Sequence, residues 1–175
     1  MVWLKKCQRG ADIIKRKRIL KKIIIGSALL LLLTGIGTIL LSLSTPVGHM
    51  YLYEKKASKL MEAGKYESAI KYYCKAADQT VETYEYPLLT HKVSKGTADC
   101  YYKLNDYENA STYYEIATLI NDKDVAAYLK AAECFEKMDE SGYAEVVLKD
   151  GYDNTKDASL YQAILELDPD YAPQE

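Results

Sequence analysis

The stretch GKYESAIKYYCKAA at residues 64–77 returns in altered form as NDYENASTYYEIAT at residues 105–118. Tyrosines and alanines occupy matching positions in the two stretches, which are offset by 41 residues (107 − 66). A second internal match relates segment 98–110 to segment 132–144 at an offset of 34 residues (132 − 98). Self-similarity at a fixed step of this size is typical of helical repeat arrays. The sequence therefore predicts an all-α fold made of stacked helical hairpins.

The spacing of small and aromatic residues resembles the tetratricopeptide repeat family, whose period is about 34 residues. In that family the first helix of a hairpin carries a bulky, a small and an aromatic residue, and the second helix carries alanine, an aromatic and alanine. Three successive hairpins fit this pattern through Tyr53, Ala57, Leu60, Ala69, Tyr73 and Ala76; Ser94, Ala98, Tyr101, Ala110, Tyr114 and Ala117; and Tyr128, Ala132, Phe135, Ala144 and Leu148. Gly151 replaces the last alanine of the third hairpin. A Sel-like repeat is the alternative within the same class, and the 34-residue step disfavours it.

The ends of the array are also indicated by the sequence. Pro46 suits the first turn of a helix, so we expect the first hairpin to start there. The segment 157–167 is apolar on one side and is followed by Pro169, which predicts a capping helix that covers the last hairpin. Seven extra residues (41 − 34) fall between Asp78 and Pro87. They predict longer flanking helices or a loop, and we favour a short loop with the second hairpin beginning near Pro87.

A long apolar run precedes the repeats. Residues 23–43 form 21 consecutive positions without a charge. At 1.5 Å per residue, a helix of that length crosses a hydrocarbon core of about 30 Å, so we expect a single transmembrane helix. A cleaved signal peptide is the alternative, but its apolar core usually has only roughly 7 to 15 residues.

Charge is distributed unequally along the chain. Residues 1–22 carry nine basic residues and one acidic residue, a charge of +8, whereas the chain from residue 45 carries 14 lysines and 24 acidic residues, a charge of −10. The positive-inside bias then predicts a basic cytoplasmic tail at 1–22, a transmembrane helix at 23–43 and an extracytoplasmic repeat domain at 46–167, followed by a C-terminal tail at 168–175. The basic tail is expected to contact anionic lipid rather than nucleic acid.

Neither catalysis nor a cofactor is expected. His49 and His91 are the only two histidines, so the chain offers no His-based triad or metal cluster. Phosphate-loop and nucleophile-elbow motifs are also lacking. Glu133 and Glu136 lie three residues apart on a predicted helix, and we interpret them as part of a solvated acidic face rather than as a catalytic pair.

Cysteines and tyrosines are interpreted mainly as packing residues. Cys74, Cys100 and Cys134 lack the CxxC spacing of a redox or metal site, and free thiols fit poorly with an oxidising exterior. Tyrosine fills space and keeps a polar tip, so a tyrosine-lined ligand groove is the alternative. The tyrosines assigned to packing are Tyr66, Tyr73, Tyr101, Tyr107 and Tyr114.

The resemblance implies a binding surface on the concave side, where the first helix of each hairpin faces a peptide or a protein. Transferred position by position, the partner-binding residues would be Lys92, Lys95, Asp99, Tyr102, Lys103, Leu129, Glu133 and Glu136. The three lysines form a local positive spot suited to an acidic segment. The residues by which chaperone-binding members clamp a terminal carboxylate are not reproduced, because Ser58 and Asp99 stand where asparagine would be needed.

Together these features predict a membrane-anchored scaffold or adaptor that binds a protein or peptide partner on the extracytoplasmic face. One alternative is a membrane-bound regulator with a sensing repeat domain and a basic cytoplasmic effector tail. Another is an import receptor whose repeats face the cytosol. The sequence indicates neither the partner nor the oligomeric state.

Overall fold

The computed structural model describes residues 27 and 34 and the ranges 45–79 and 86–172. The chain divides into two compact units, Met1–Thr45 and Pro46–Glu175. Within the described ranges the second unit contains seven helices and no strand. In chain order the helices are α1 (Pro46–Glu62), α2 (Tyr66–Ala77), α3 (Pro87–Lys103), α4 (Tyr107–Ile120), α5 (Val125–Lys137), α6 (Ser141–Thr155) and α7 (Ala158–Leu167).

The helices stack in sequence order. Each helix packs mainly against the next one along the chain, and further contacts join α1 to α3 and α5 to α7. The hairpins α1–α2, α3–α4 and α5–α6 therefore form a row, and α7 covers the end of it. The predicted all-α array of three hairpins and a capping helix is confirmed for the described residues.

Local sequence signals set the helix boundaries. The carboxylates of Asp106, Asp124 and Asp157 each accept a hydrogen bond from a backbone N–H in the first turn of α4, α5 and α7. Such N-caps satisfy amides that have no partner within the helix. Prolines open α1 and α3 at Pro46 and Pro87, as predicted, because the first turn does not require the missing N–H.

The turn inside each hairpin repeats one backbone conformation. Gly64, Asn105 and Asp139 have φ angles of +70°, +59° and +61° and are spaced by the same 41 and 34 residues as the repeats. This left-handed conformation is common just after a helix and favours glycine or asparagine. The first hairpin has glycine at this position and the second has asparagine, whereas Asp139 of the third carries a steric cost that glycine would avoid.

Small residues allow the helices to approach closely. Ala57, Ala69 and Ala110 are completely buried, and the bulky side chains of Tyr73 and Tyr114 fill the space beside them. Close approach of backbones at small residues is what fixes the packing of neighbouring helices. The alanines that match between the repeats, together with Tyr73 and Tyr114, are thus positions of the core.

Two glycines leave room for aromatic rings. A Cβ at Gly96 of α3 would lie 2.4 Å from Cζ of Tyr73 in α2, and a Cβ at Gly151 of α6 would lie 2.6 Å from Cγ of Tyr128 in α5. Tyr73 therefore joins the first hairpin to the second, and only a residue without a side chain fits opposite its ring.

The thiols are buried to different degrees. Cys100 and Cys134 are completely buried, and burial raises the pKa of both thiols to about 12. Cys74 is half-buried, and all three are free. The interpretation of Cys100 and Cys134 as small core residues is confirmed.

The extra residues between the first two repeats lie partly in helix and partly in the connection. α3 starts at Pro87, four residues before the repeat equivalent of the start of α5 (125 − 34 = 91). The connection runs from the end of α2 at Ala77 to Pro87, and its residues 80–85 lie outside the described ranges. Four of the seven extra residues thus extend α3, and the predicted loop falls on a connection that is only partly described.

The predicted localisation must be corrected. Among the described residues, no helix combines the length and the apolar character needed to cross a membrane. The seven helices contain 10 to 17 residues and carry charges, whereas a span needs about 20 mostly apolar residues. The prediction of a single-pass membrane protein with a cytoplasmic N-terminus and an extracytoplasmic repeat domain is therefore not retained. Of the predicted span 23–43 only Ser27 and Thr34 are described, and the predicted tail 1–22 lies outside the described residues.

Candidate functional site

The first helices of the three hairpins, α1, α3 and α5, form one face of the array, which bears two adjoining clefts. The smaller cleft lies between α1 and α3 and has a volume of about 240 Å³. The larger one, here called the central cleft, reaches α5 and has a volume of about 340 Å³. Met61 and Asp99 line both clefts. The two clefts, together called the inner clefts, therefore form one path across all three hairpins.

Aromatic side chains form the walls of the central cleft. Tyr66 begins α2, Tyr102 lies on α3, and Tyr114 reaches the cleft from α4. Lys130 of α5 places its Nζ 4.4 Å from the ring centroid of Tyr102, close enough for a cation–π contact. Tyr66 and Tyr114 pack against the core clusters, as predicted from the sequence, and they also border this cleft.

The tyrosine hydroxyls are tied to carboxylates. Tyr114 donates a hydrogen bond to Asp99 Oδ1 at 2.6 Å, and Tyr102 donates one to Glu133 of α5. Burial, followed by the hydrogen bond to Asp99, raises the pKa of Tyr114 well above its usual range. The hydrogen bond to Glu133 likewise raises the pKa of Tyr102. Both phenols therefore stay protonated at neutral pH and hold the cleft in a fixed shape.

Glu133 is shared between α3 and α5. Its Oε2 lies 2.7 Å from Nζ of Lys130. Burial opposes ionisation of Glu133, but the hydrogen bonds from Lys130 and Tyr102 outweigh it and lower its pKa. The carboxylate is thus ionised and already engaged, which makes it a structural support of the cleft rather than a free acceptor.

A buried carboxylate lies beneath the smaller cleft. The side chain of Glu54 is only 2% exposed, and Nζ of Lys92 lies 2.8 Å from its Oε1. Ser58 donates a further hydrogen bond to the same oxygen at 2.8 Å. Because a buried charge needs a partner, Lys92 compensates this carboxylate, although its own side chain is 63% exposed.

Asp124 links the second hairpin to the third. Its Oδ2 lies 2.6 Å from Nζ of Lys95 and 2.9 Å from Nε2 of His91, while its Oδ1 accepts the N–H of Ala127 as the N-cap of α5. Burial opposes ionisation here, but the hydrogen bond and charge of Lys95 are stronger and lower the pKa of Asp124. This cluster was not predicted from the sequence, although His91 and Lys95 lie four residues apart and hence on one side of α3.

The predicted partner-binding residues are brought together only in part. Lys92, Lys95, Asp99, Tyr102 and Lys103 line the inner clefts. Glu133 supports them from α5, as its bond to Tyr102 shows. Leu129 packs instead against the core of the third hairpin, and Glu136 is exposed and lines neither cleft.

The predicted positive spot has fewer unpaired positive charges than its three lysines suggest. Lys92 and Lys95 are paired with Glu54 and Asp124. Lys103 is exposed at the central cleft and forms no ion pair with any described residue. It is therefore the cation of this cleft with most charge available to a ligand. In the same ranges no group of three or more His, Cys, Asp or Glu side chains is placed to hold a metal ion.

Comparison with solved structures supports a tetratricopeptide-like fold. The chain is similar to the structure "First TPR of Spaghetti (RPAP3) bound to HSP90 peptide SRMEEVD", with a TM-score of 0.55 and 18% sequence identity over 70% of this chain and 93% of that one. At this identity the likeness concerns the fold alone. Neither the protein-family models nor the curated proteins searched give a match.

Proposed function

We propose that this chain is a protein-interaction scaffold that binds an extended peptide segment across the inner clefts. The observation that carries the proposal is the continuity of the two clefts, which share Met61 and Asp99 and cross α1, α3 and α5. An extended chain spans about 3.3 Å per residue, so a few residues would be enough to run from one cleft to the other. The peptide in the similar solved structure adds support from a protein with the same type of fold.

The lining of the central cleft favours a ligand with an apolar side chain beside an acidic one. Met61, Tyr66 and Tyr102 offer apolar surface, and sites that bind ligands are mostly apolar with a few polar groups that fix orientation. Lys103 would face a carboxylate of the ligand at the mouth of the cleft. Lys130, held by Glu133, would contribute less to the attraction because its charge is already compensated.

The carboxylates of the clefts support binding rather than catalysis. Asp99 and Glu133 accept hydrogen bonds from buried or partly buried tyrosines, and Asp124 is paired with Lys95. Each is used to fix the shape of the site, so we propose no enzymatic role for them.

Selection of ligands from a random dodecapeptide display library tests the proposal. Sequences enriched on the full-length protein are made as fluorescent peptides, and their affinity is measured by anisotropy. We expect Lys103→Glu to weaken binding about tenfold, which corresponds to about 1.4 kcal/mol. The effect should shrink as salt is added, because exposed charges are screened.

The matched control is Lys71→Glu, which makes the same charge change on the exposed surface of α2. It should leave the affinity unchanged. Equal binding by wild type and Lys103→Glu for every enriched peptide, with both proteins equally helical, would remove the central cleft as the binding site.

A further inference from the structure

A second groove lies on the opposite set of helices. It runs between α4 and α6, has Tyr128 of α5 among its lining residues, and encloses about 420 Å³. None of the lysines that line the inner clefts borders it. Its size falls within the range of roughly 300 to 1,000 Å³ that is usual for binding sites. It is called the outer groove below.

The outer groove is apolar and open to solvent. Leu119 and Val146 are 83% and 64% exposed, although both are large aliphatic residues. Ile116 and Val147 extend the same surface. An exposed apolar patch that lines a groove is more informative than single exposed residues, because it marks a surface suited to a partner.

The threonine hydroxyls of the groove wall already have hydrogen-bond partners, so the carboxylates are the main polar groups that a ligand would contact. The hydroxyl of Thr112 donates to the backbone carbonyl of Glu108, and that of Thr118 donates to the carbonyl of Glu115. The carboxylates of Glu115 and Asp150 border the groove. No described cation forms an ion pair with either of them.

The two helices that flank the groove are strongly acidic. α4 contains two glutamates and no basic residue. α6 contains three acidic residues and a single lysine, Lys149, which is bound by Glu145 of its own helix and by Asp168 after α7. A ligand that enters the outer groove therefore meets two carboxylates that no described lysine pairs with, in contrast to the inner clefts.

We infer that the outer groove docks a protein segment that carries aliphatic side chains flanked by lysine or arginine. The aliphatic side chains would cover Leu119 and Val146, and the basic residue would pair with Glu115 or Asp150. Complementary charge selects such a partner over an acidic one, because like charges at an interface are unfavourable. The inference does not depend on peptide binding at the inner clefts, since no residue lines both sites and their charges are opposite.

Differential peptide selection tests this site. A random dodecapeptide display library is bound to the full-length wild-type protein after depletion on the double variant Leu119→Ser, Val146→Ser. Both positions are exposed, so the substitutions should preserve the fold. We expect the enriched peptides to pair aliphatic residues with lysine or arginine. Their affinity should fall at least tenfold in the double variant and about fivefold in Glu115→Gln, Asp150→Asn.

Two control variants change residues that lie outside the outer groove. Leu88→Ser removes a side chain that is 87% exposed on α3, and it should leave the affinity of these peptides unchanged. Lys103→Glu should also have no effect on them, so failure at one site can be distinguished from failure at the other.

Three results would overturn the inference. These are the absence of any peptide that distinguishes wild type from the serine variant, an enriched set without basic residues, and affinities that do not change in Glu115→Gln, Asp150→Asn. Sedimentation of the same proteins covers a fourth outcome. If the wild type self-associates and the serine variant is monomeric, the groove is occupied by a second copy of the chain, and the inferred partner is wrong.

Discussion

Replacement of Gly96 by alanine should destabilise the protein, although alanine is the better helix former. The new Cβ would lie 2.4 Å from Cζ and Oη of Tyr73, far inside normal contact distance. Tyr73 is only 2% exposed, so its ring can relieve the contact only by shifting toward the smaller cleft, which Tyr73 and Gly96 both line. Overpacking of a core costs about 1 to 3 kcal/mol, and so short a contact favours the upper end of that range. The gain in helix propensity is about 1 kcal/mol, which leaves a net loss of about 2 kcal/mol.

Urea unfolding followed by far-UV circular dichroism measures this loss, with Gly142→Ala as the matched control. A Cβ at Gly142 meets no atom within 4 Å, so that substitution should stabilise the protein by up to about 1 kcal/mol. The double variant Tyr73→Leu, Gly96→Ala completes the cycle. Because Tyr73→Leu removes the outer ring atoms, Gly96→Ala should no longer lower the free energy of unfolding in that background. The coupling free energy between positions 73 and 96 should therefore be about 2 to 3 kcal/mol. Stabilisation by Gly96→Ala, or an equal loss with and without the Tyr73 ring, would refute the proposed packing between the first two hairpins.

Three further predictions concern the cap residue Asp124 and the turn at Asp139. Asp124→Ala should lower the free energy of unfolding by about 2 to 3 kcal/mol, because it removes an N-cap and a charge-assisted hydrogen bond, whereas Asp124→Asn keeps the cap and should cost less. Folding lowers the pKa of Asp124, so its carboxylate contributes fully to the free energy of unfolding above its unfolded pKa of about 3.9. This contribution is lost as the pH falls through the lower pKa of the folded state. Asp124→Asn should therefore make the free energy of unfolding depend less on pH in the acid range. Asp139→Gly should raise the free energy of unfolding in urea by about 0.5 to 1 kcal/mol, because φ at this position is +61°, and an unchanged or lower value would argue against the left-handed turn.

Much of the fold follows from local and periodic signals in the chain. The recurrence of Ala69 and Tyr73 as Ala110 and Tyr114 predicts helices that pack in the same way, and all four residues are buried. Pro87 predicts the start of α3 because proline suits a first turn. These signals act within one helix or one hairpin, which is why sequence alone reveals them.

The candidate site is less accessible from sequence because it depends on how the hairpins are placed next to each other. Lys95 was predicted to bind a partner, but in the structure it pairs with Asp124, which lies 29 residues away in the sequence. Glu54 illustrates the same point, since its burial beneath Lys92 depends on how α1 packs against α3. Leu129 is a third case, because its side chain belongs to the third core cluster although it occupies a family binding position.

The outer groove has no sequence signal of the kind used for the repeats. Leu119 and Val146 lie in different hairpins and match the ordinary apolar content of helices. Only their joint exposure beside Glu115 and Asp150 distinguishes them from core residues.

Hydrogen exchange of the full-length protein, with and without a peptide selected for the inner clefts, tests most directly whether the repeats bind a partner through their first helices. We predict that bound peptide slows amide exchange in α1, α3 and α5 and leaves α4 and α6 nearly unchanged. Slowing confined to α4 and α6, or no change in any helix at saturating peptide, would contradict recognition across the inner clefts.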